Sequence, residues 1–157
     1  MKVIKPNSED QLIEGISIFL AGSIEMGAAI DWQSNTEERL KFHENLTIFN
    51  PRREDWNSSW KQKQSNEQFN HQVNWELNHL DRADIIFMYL LPDTKSPISL
   101  LELGLHADDG NMIVCCPKEF WREGNVEIVC TRYRIPLFDN YEDAFGAVRT
   151  ILNSFIQ

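Results

Sequence analysis

The sequence predicts a single doubly wound α/β domain built on five parallel strands. Three observations carry that expectation. Continuous apolar runs of strand length recur along the chain, helix-length segments alternate with them, and 157 residues is one domain's worth of chain. Continuous rather than alternating apolar runs suit strands buried on both faces, as in a parallel sheet. No internal repeat, low-complexity tract or linker breaks the pattern, so residues 1–157 read as one domain.

The elements follow in order. Ile16–Leu20 is the first strand, Trp32–His43 the first helix and Leu46–Phe49 the second strand. Pro51–Ser65 is the one long irregular stretch, carrying Arg52, Arg53, Trp56 and Trp60. Loops beyond ~12–15 residues in compact domains are often functional. Asn66–Arg82 is the second helix, with Val73, Leu77 and Leu80 as its expected buried stripe and Gln72, Glu76 and His79 as a polar stripe beside it. Ile85–Leu91, Met112–Cys116 and Ile135–Phe138 complete the strands. Ser99–Ala107, Gly124–Arg132 and Tyr141–Ile156 complete the helices.

Composition excludes several functions. At 42% hydrophobic and 25% charged residues the chain is globular rather than disordered. Lys+Arg 15 against Asp+Glu 24 leaves a net charge of −9. Nucleic-acid affinity comes from Lys and Arg neutralising phosphates, so this acidity argues against a nucleic-acid partner and leaves small neutral ligands open. The apolar runs fall far short of the ~20 residues of a membrane span, and the polar Met1–Asp10 does not resemble a signal peptide. Three cysteines, with Cys115 and Cys116 adjacent, form no disulfide framework, so reduced thiols in a cytoplasmic protein are expected. No metal is expected, because His43, His71, His79 and His106 lack ligand spacing.

In open parallel sheets ligands sit beyond the carboxyl ends of the strands. After Leu20 comes Ala21-Gly22-Ser23-Ile24-Glu25-Met26-Gly27. Gly22 allows close backbone approach to a ligand, and the next N–H groups and Ser23 Oγ are candidate donors; an ordinary βα turn is the alternative. It is neither a G-x-G-x-x-G fingerprint nor a Walker loop, and Glu25 would repel a phosphate. Further on, Ser99 and Glu102 fit an S-x-x-E capping box, which explains Glu102 structurally. Functionally, a carboxylate in the first helical turn is favoured in its ionised form and can attack an electrophilic carbon. Glu76 reads either as a solvated surface acid or as the second member of a carboxylate pair. Two carboxylates about one scissile bond are what double-displacement glycosyl chemistry needs. Trp32, Trp56, Trp60 and Trp75 suit either base stacking or the core. Arg52 and Arg53 read as loop cations that offset local acids.

Taken with their spacing, these residues resemble the nucleoside 2-deoxyribosyltransferase superfamily over roughly Ile16 to Ala107. Ile18-Phe19-Leu20-Ala21-Gly22-Ser23 is similar to its first strand and glycine turn. Glu76, Asp84, Pro92-Asp93 and Glu102-Leu103-Gly104 follow its order and spacing. Asp31-Trp32-Gln33, the run from Asn50 to Trp56, Ser96 to Gly104, and Gly124-Asn125-Val126 resemble one subgroup. The resemblance implies a flavodoxin-like (Rossmann-like) fold, a homo-oligomer, no cofactor, and a nucleoside and a free nucleobase as partners. It implies Glu102 as the nucleophile that forms a glycosyl-enzyme and Glu76 as the carboxylate that handles the base and its proton. Substrate contacts are implied for Phe19, Gly22, Ser23, Glu25, the 31–33 segment, Trp56, Asp93 and Ser96. Asn125 would be lent to a neighbouring subunit's site.

Two positions depart from the pattern. Phe19 stands where many members have Tyr, and Ser96 replaces an acidic residue of the transferases. A serine there resembles the related deoxynucleotide N-hydrolases, which carry Arg where this chain has Glu25. The charge of Glu25 favours an unphosphorylated nucleoside. Hydrolysis at the same site and a non-catalytic module binding a nucleoside or nucleotide derivative are the alternatives. A flavin carrier fits poorly, since the first loop lacks several Ser/Thr donors for a flavin phosphate.

Overall fold

The computed structural model describes residues 1–9, 11–53, 57 and 59–155. In chain order these form β1 (Lys2–Ile4), β2 (Ile16–Gly22), a 3-10 turn (Glu25–Gly27), α1 (Trp32–Leu40), β3 (Leu46–Phe49) and α2 (Glu67–Leu80). Then come β4 (Ile85–Tyr89), α3 (Pro97–His106), β5 (Met112–Cys115), α4 (Glu123–Tyr133), β6 (Leu137–Phe138) and α5 (Tyr141–Ser154). All strand pairs are parallel, in the order β1-β3-β2-β4-β5-β6. The five expected strands therefore stand in the 2-1-3-4-5 order of one doubly wound class. Lys2–Ile4 adds a sixth at the edge, which corrects the five-stranded expectation. Three residues make too short a run to stand out. They become a strand only by pairing with β3, where Val3 lies opposite Ile48.

Successive strand residues point to opposite faces, and both faces are covered. Phe19, Ile86, Met88 and Val114 pack with Trp75, Leu103 and Val126 of α2, α3 and α4. Ile18, Leu20, Phe87 and Ile113 pack with Leu40 of α1 and Phe145 and Val148 of α5. Two-sided burial is why the sequence shows continuous apolar runs.

Helix starts are mostly set by side chains. Asp31, Asn66 and Asn140 accept the backbone N–H of Ser34, Phe69 and Asp143, caps worth about 1 kcal/mol each. Helix α3 starts differently. Pro97 takes its first position, after Ser96 in the left-handed conformation at φ 44°. The expected capping box is therefore not formed: Ser99 is the third helical residue and Glu102 lies in the second turn. The expected stripe on α2 is also corrected. Gln72, Trp75, His79 and Leu80 are buried, while Leu77 is exposed. Of the polar stripe, Gln72 and His79 face inward, Gln72 Nε2 donating to Pro51 O and Glu76 Oε1 and His79 Nδ1 meeting Trp75 O, while Glu76 is half-buried.

Cys115, Cys116 and Cys130 are free and buried, and burial pushes their thiols up to about 12, about 12 and about 11. No helix among the described residues is long and apolar enough to cross a membrane.

Candidate active site

With this strand order the chain passes from β2 to β3 on one side and returns to β4 on the other. The reversal lies between β2 and β4, where ligands gather in such sheets. Gly22 ends β2 at φ 125°, and a Cβ there would meet Tyr89 O at 2.1 Å. The close approach it permits is to the backbone of β4, and Ser23 N donates to Tyr89 O at 2.9 Å. Ser23 is buried. Its Oγ accepts from Leu91 N (2.9 Å) and shares hydrogen bonds with Thr94 Oγ1 (2.7 Å) and Ser96 Oγ (2.6 Å). Thr94 Oγ1 also donates to Leu91 O at 2.9 Å. Ser23 is thus no free donor. It and Ser96 knit the two strand ends together from within, and Thr94, which sequence reasoning passed over, completes the cluster.

The turn after β2 is strapped on several sides. Glu25 and Met26 are consecutive left-handed residues at φ 48° and 53°. Glu25 Oε1 accepts from Lys95 N (3.0 Å) and Ser96 N (2.8 Å), the two amides just before α3. Arg52 donates to Gly27 O (2.9 Å), Ala29 O (2.7 Å) and Gln33 Oε1 (3.5 Å), and its Nε lies 3.7 Å from Asp31 Oδ2. The expected loop cation does offset a local acid, Asp31, and Arg52 is in addition a clamp on the turn's carbonyls. A dibasic pair after a strand carries no signal for that, because the partners are backbone atoms.

Residues 31–33 divide. Asp31 caps α1 and is exposed, with its carboxyl held below the usual range. Burial pushes it up, but hydrogen bonds from Ser34 and the Arg52 charge outweigh that. Trp32 is buried, donates Nε1–H to Ser23 O at 3.1 Å, and meets Phe87 and Tyr89 edge-on. Its ring faces are core surface rather than a stacking platform. Gln33 is buried beside Arg52. Phe19 is buried in the core and tilts against Trp75 at 6.1 Å. Asp93 is exposed, as is Asn125 in the first turn of α4. Trp56 lies outside the described residues.

Glu76 and Glu102 come together on the face of the sheet covered by α2 and α3. Glu102 is 8% exposed, on the inner side of α3 next to Leu103 and His106 in the buried set. Burial first, and the neighbouring Glu76 charge second, together lift its carboxyl to about 8. The expectation that the helix terminus holds it ionised is overturned, because the helix field fades beyond the first turn while desolvation does not. Glu76 is raised to about 7 by burial, against the opposing pull of a hydrogen bond from Gln72. That bond, Gln72 Nε2 to Glu76 Oε1, measures 2.7 Å, and the same amide donates to Pro51 O at 3.0 Å. Gln72 thereby ties Glu76 to the carboxyl end of β3. Its i, i+4 spacing from Glu76 was the available sequence signal. A separate groove of about 480 Å³, lined by Pro6, Gln11, His71, Trp75 and His79 among others, includes neither carboxylate.

The β2/β4 reversal thus carries a knitted hydroxyl cluster and a strapped turn, and between α2 and α3 the half-buried Glu76 disfavours the ionisation of buried Glu102. No curated protein matches the sequence. Among solved structures, a conserved protein from Enterococcus faecalis V583 superposes with a TM-score of 0.63 at 10% identity, covering 87% of this chain and 98% of that one. At that identity the likeness concerns the fold. Residues 15–120, about two-thirds of the chain and spanning both carboxylates, match the family described as nucleoside 2-deoxyribosyltransferase like. The chain belongs to the nucleoside 2-deoxyribosyltransferase-like family.

Proposed function

We propose that the protein cleaves the N-glycosidic bond of an unphosphorylated 2′-deoxynucleoside by double displacement and transfers the sugar to another nucleobase. The observation that carries this reading is the pairing of buried Glu102 with half-buried Glu76, both within the stretch that matches the nucleoside 2-deoxyribosyltransferase-like family. Burial disfavours the charge on both, and their repulsion disfavours ionising the two together. With carboxyls at about 7 for Glu76 and about 8 for Glu102, the pair holds one proton near neutral pH, mainly on Glu102.

The reactive arrangement is the less populated form of the singly protonated pair, with Glu102 ionised and Glu76 protonated. Glu102 attacks the anomeric carbon as the bond to the base breaks, and Glu76 gives its proton to the departing base. The products are a glycosyl ester on Glu102 and an ionised Glu76. The acceptor base then yields its N–H proton to Glu76, attacks the same carbon and frees Glu102. Two displacements at one carbon retain configuration. Glu25, an additional carboxylate at this end of the sheet, supports a guest without a phosphate.

The test is base exchange. Each of the four deoxynucleosides, incubated with a different free base and resolved by chromatography, is expected to give the exchanged nucleoside. Free base and sugar without exchange would assign hydrolysis instead. Binding by calorimetry with no turnover would assign a non-catalytic module.

The protein is also proposed to work as a homo-oligomer. Helix α3 turns Ile98, Leu101 and Leu105 outward at 59%, 59% and 57% exposure, an apolar stripe at i, i+3 and i+7. Sedimentation is expected to show an oligomer for the wild type and a monomer for Leu101→Glu. A monomeric wild type, or a variant with unchanged mass, would remove this reading.

A further inference from the structure

Lys95 is the point where three loops at the carboxyl end of the sheet meet. Its N–H and that of Ser96 are taken by the Glu25 carboxylate, from the turn after β2. Its carbonyl accepts Trp121 Nε1–H at 2.9 Å, from the segment that leads into α4. The Glu25 side is itself braced, because Arg52 grips Gly27 O and Ala29 O in the same turn. Glu25 and Met26 are both held at positive φ, a conformation that is unfavourable for non-glycine residues and persists only where surroundings enforce it. The far end of the strap is the start of α3, and Glu102 sits in that helix's second turn.

We infer that Glu25 is a positioning residue: its carboxylate pins the Lys95–Ser96 peptide and so sets where α3 presents Glu102, with Arg52 and Trp121 bracing the same junction. This rests on the reading of Glu102 as nucleophile. It changes the role of Glu25 from a substrate contact to a contact made within the protein. A rigid helix transmits a shift at its first residues to the second turn, and a misplacement of ~1 Å at a reacting group can cost about a hundredfold in rate. The carboxylate acts here as an acceptor of two N–H groups. An amide oxygen can do the same, so charge is not the essential property.

The experiment compares Glu25→Ala with Glu25→Gln in base exchange, alongside amide hydrogen exchange at Lys95 and Ser96. Glu25→Ala is expected to lower kcat about 10- to 100-fold with KM changed less than about threefold. It is also expected to lose protection at both amides. Glu25→Gln is expected to restore most of kcat and the protection. Trp121→Phe, which keeps the ring and removes the N–H, is expected to give a smaller loss of kcat in the same sense. A Glu25→Gln variant as impaired as Glu25→Ala, or a rise in KM that accounts for the defect, would overturn the inference in favour of direct substrate contact. Normal kcat in Glu25→Ala would overturn it outright. Mass spectrometry of the wild type with substrate separates the two layers. No sugar adduct on Glu102 refutes the nucleophile and with it the catalytic role of the strap. An adduct together with an unimpaired Glu25→Ala refutes the strap alone.

Discussion

Glu102→Gln is expected to abolish base exchange, by at least about a thousandfold in kcat/KM, and at the same time to make the protein more stable at alkaline pH. The loss follows from chemistry: an amide cannot form the glycosyl ester, and Glu76 cannot replace it while also serving as acid. The gain follows from burial. Glu102's carboxyl rises from 4.5 to about 8 on folding, so between those values the folded state binds more protons than the unfolded state. Stability from this group is therefore fully present below about pH 4.5 and lost as pH climbs through about 8. The rise from 4.5 to about 8 corresponds to on the order of 4 kcal/mol above that window. Glutamine carries no charge to desolvate at any pH. Tm of the variant is expected to exceed the wild type by roughly 10 °C at pH 9 and to differ little at pH 4.5. Equal Tm at pH 9, measured by calorimetry, would show that Glu102 is not held in a desolvated place. Retained turnover would refute its assignment as nucleophile.

Gly22→Ala is the second large effect, and it acts on the fold. The added Cβ would meet Tyr89 O, N and C at 2.1, 2.7 and 2.8 Å. These are backbone atoms of the neighbouring central strand, registered opposite Gly22 itself, so they cannot yield without parting β2 from β4. The φ of 125° is also closed to residues with a side chain. A loss of about 3 kcal/mol or more is expected, read as a Tm lower by roughly 6–12 °C or as a fallen urea midpoint. Gly27→Ala is the matching control. Its φ is 90° but no atom lies within 4 Å of the added Cβ, so strain alone applies and about 1 kcal/mol is expected. If the two variants proved equally stable, the tight contact between β2 and β4 would not be what Gly22 serves.

Both results bear on how far a bare sequence carries. The α/β class, five of the six strands and the helices between them are legible, because two-sided burial writes itself as continuous apolar runs. Ile85–Leu91 needed no context to be read as a strand. Lys2–Ile4 did, since a three-residue edge strand is defined by its partner β3 rather than by its own composition. The start of α3 misled in an instructive way. Ser99 and Glu102 have capping-box spacing, but Pro97 behind a left-handed Ser96 starts the helix earlier and moves Glu102 inward by most of a turn.

Site residues split along the same line. Residue type and order single out Glu76 and Glu102 as the candidate pair, and place Gly22, Ser23 and Ser96 at strand ends facing a crevice. Their protonation was not legible, because a carboxyl's pKa follows from how much water its neighbours exclude. Nor was the commitment of Ser23, Trp32 and Glu25 to partners about ten to seventy residues away. The sequence alone determined the architecture, the family and which two acids to examine, since hydrophobic periodicity and motif spacing are properties of order along the chain. Only the tertiary structure decided that Glu102 is buried beside a half-buried Glu76, that Arg52 clamps a turn and that Glu25 accepts the two amides before α3, because desolvation and backbone-directed hydrogen bonds exist only once distant segments meet.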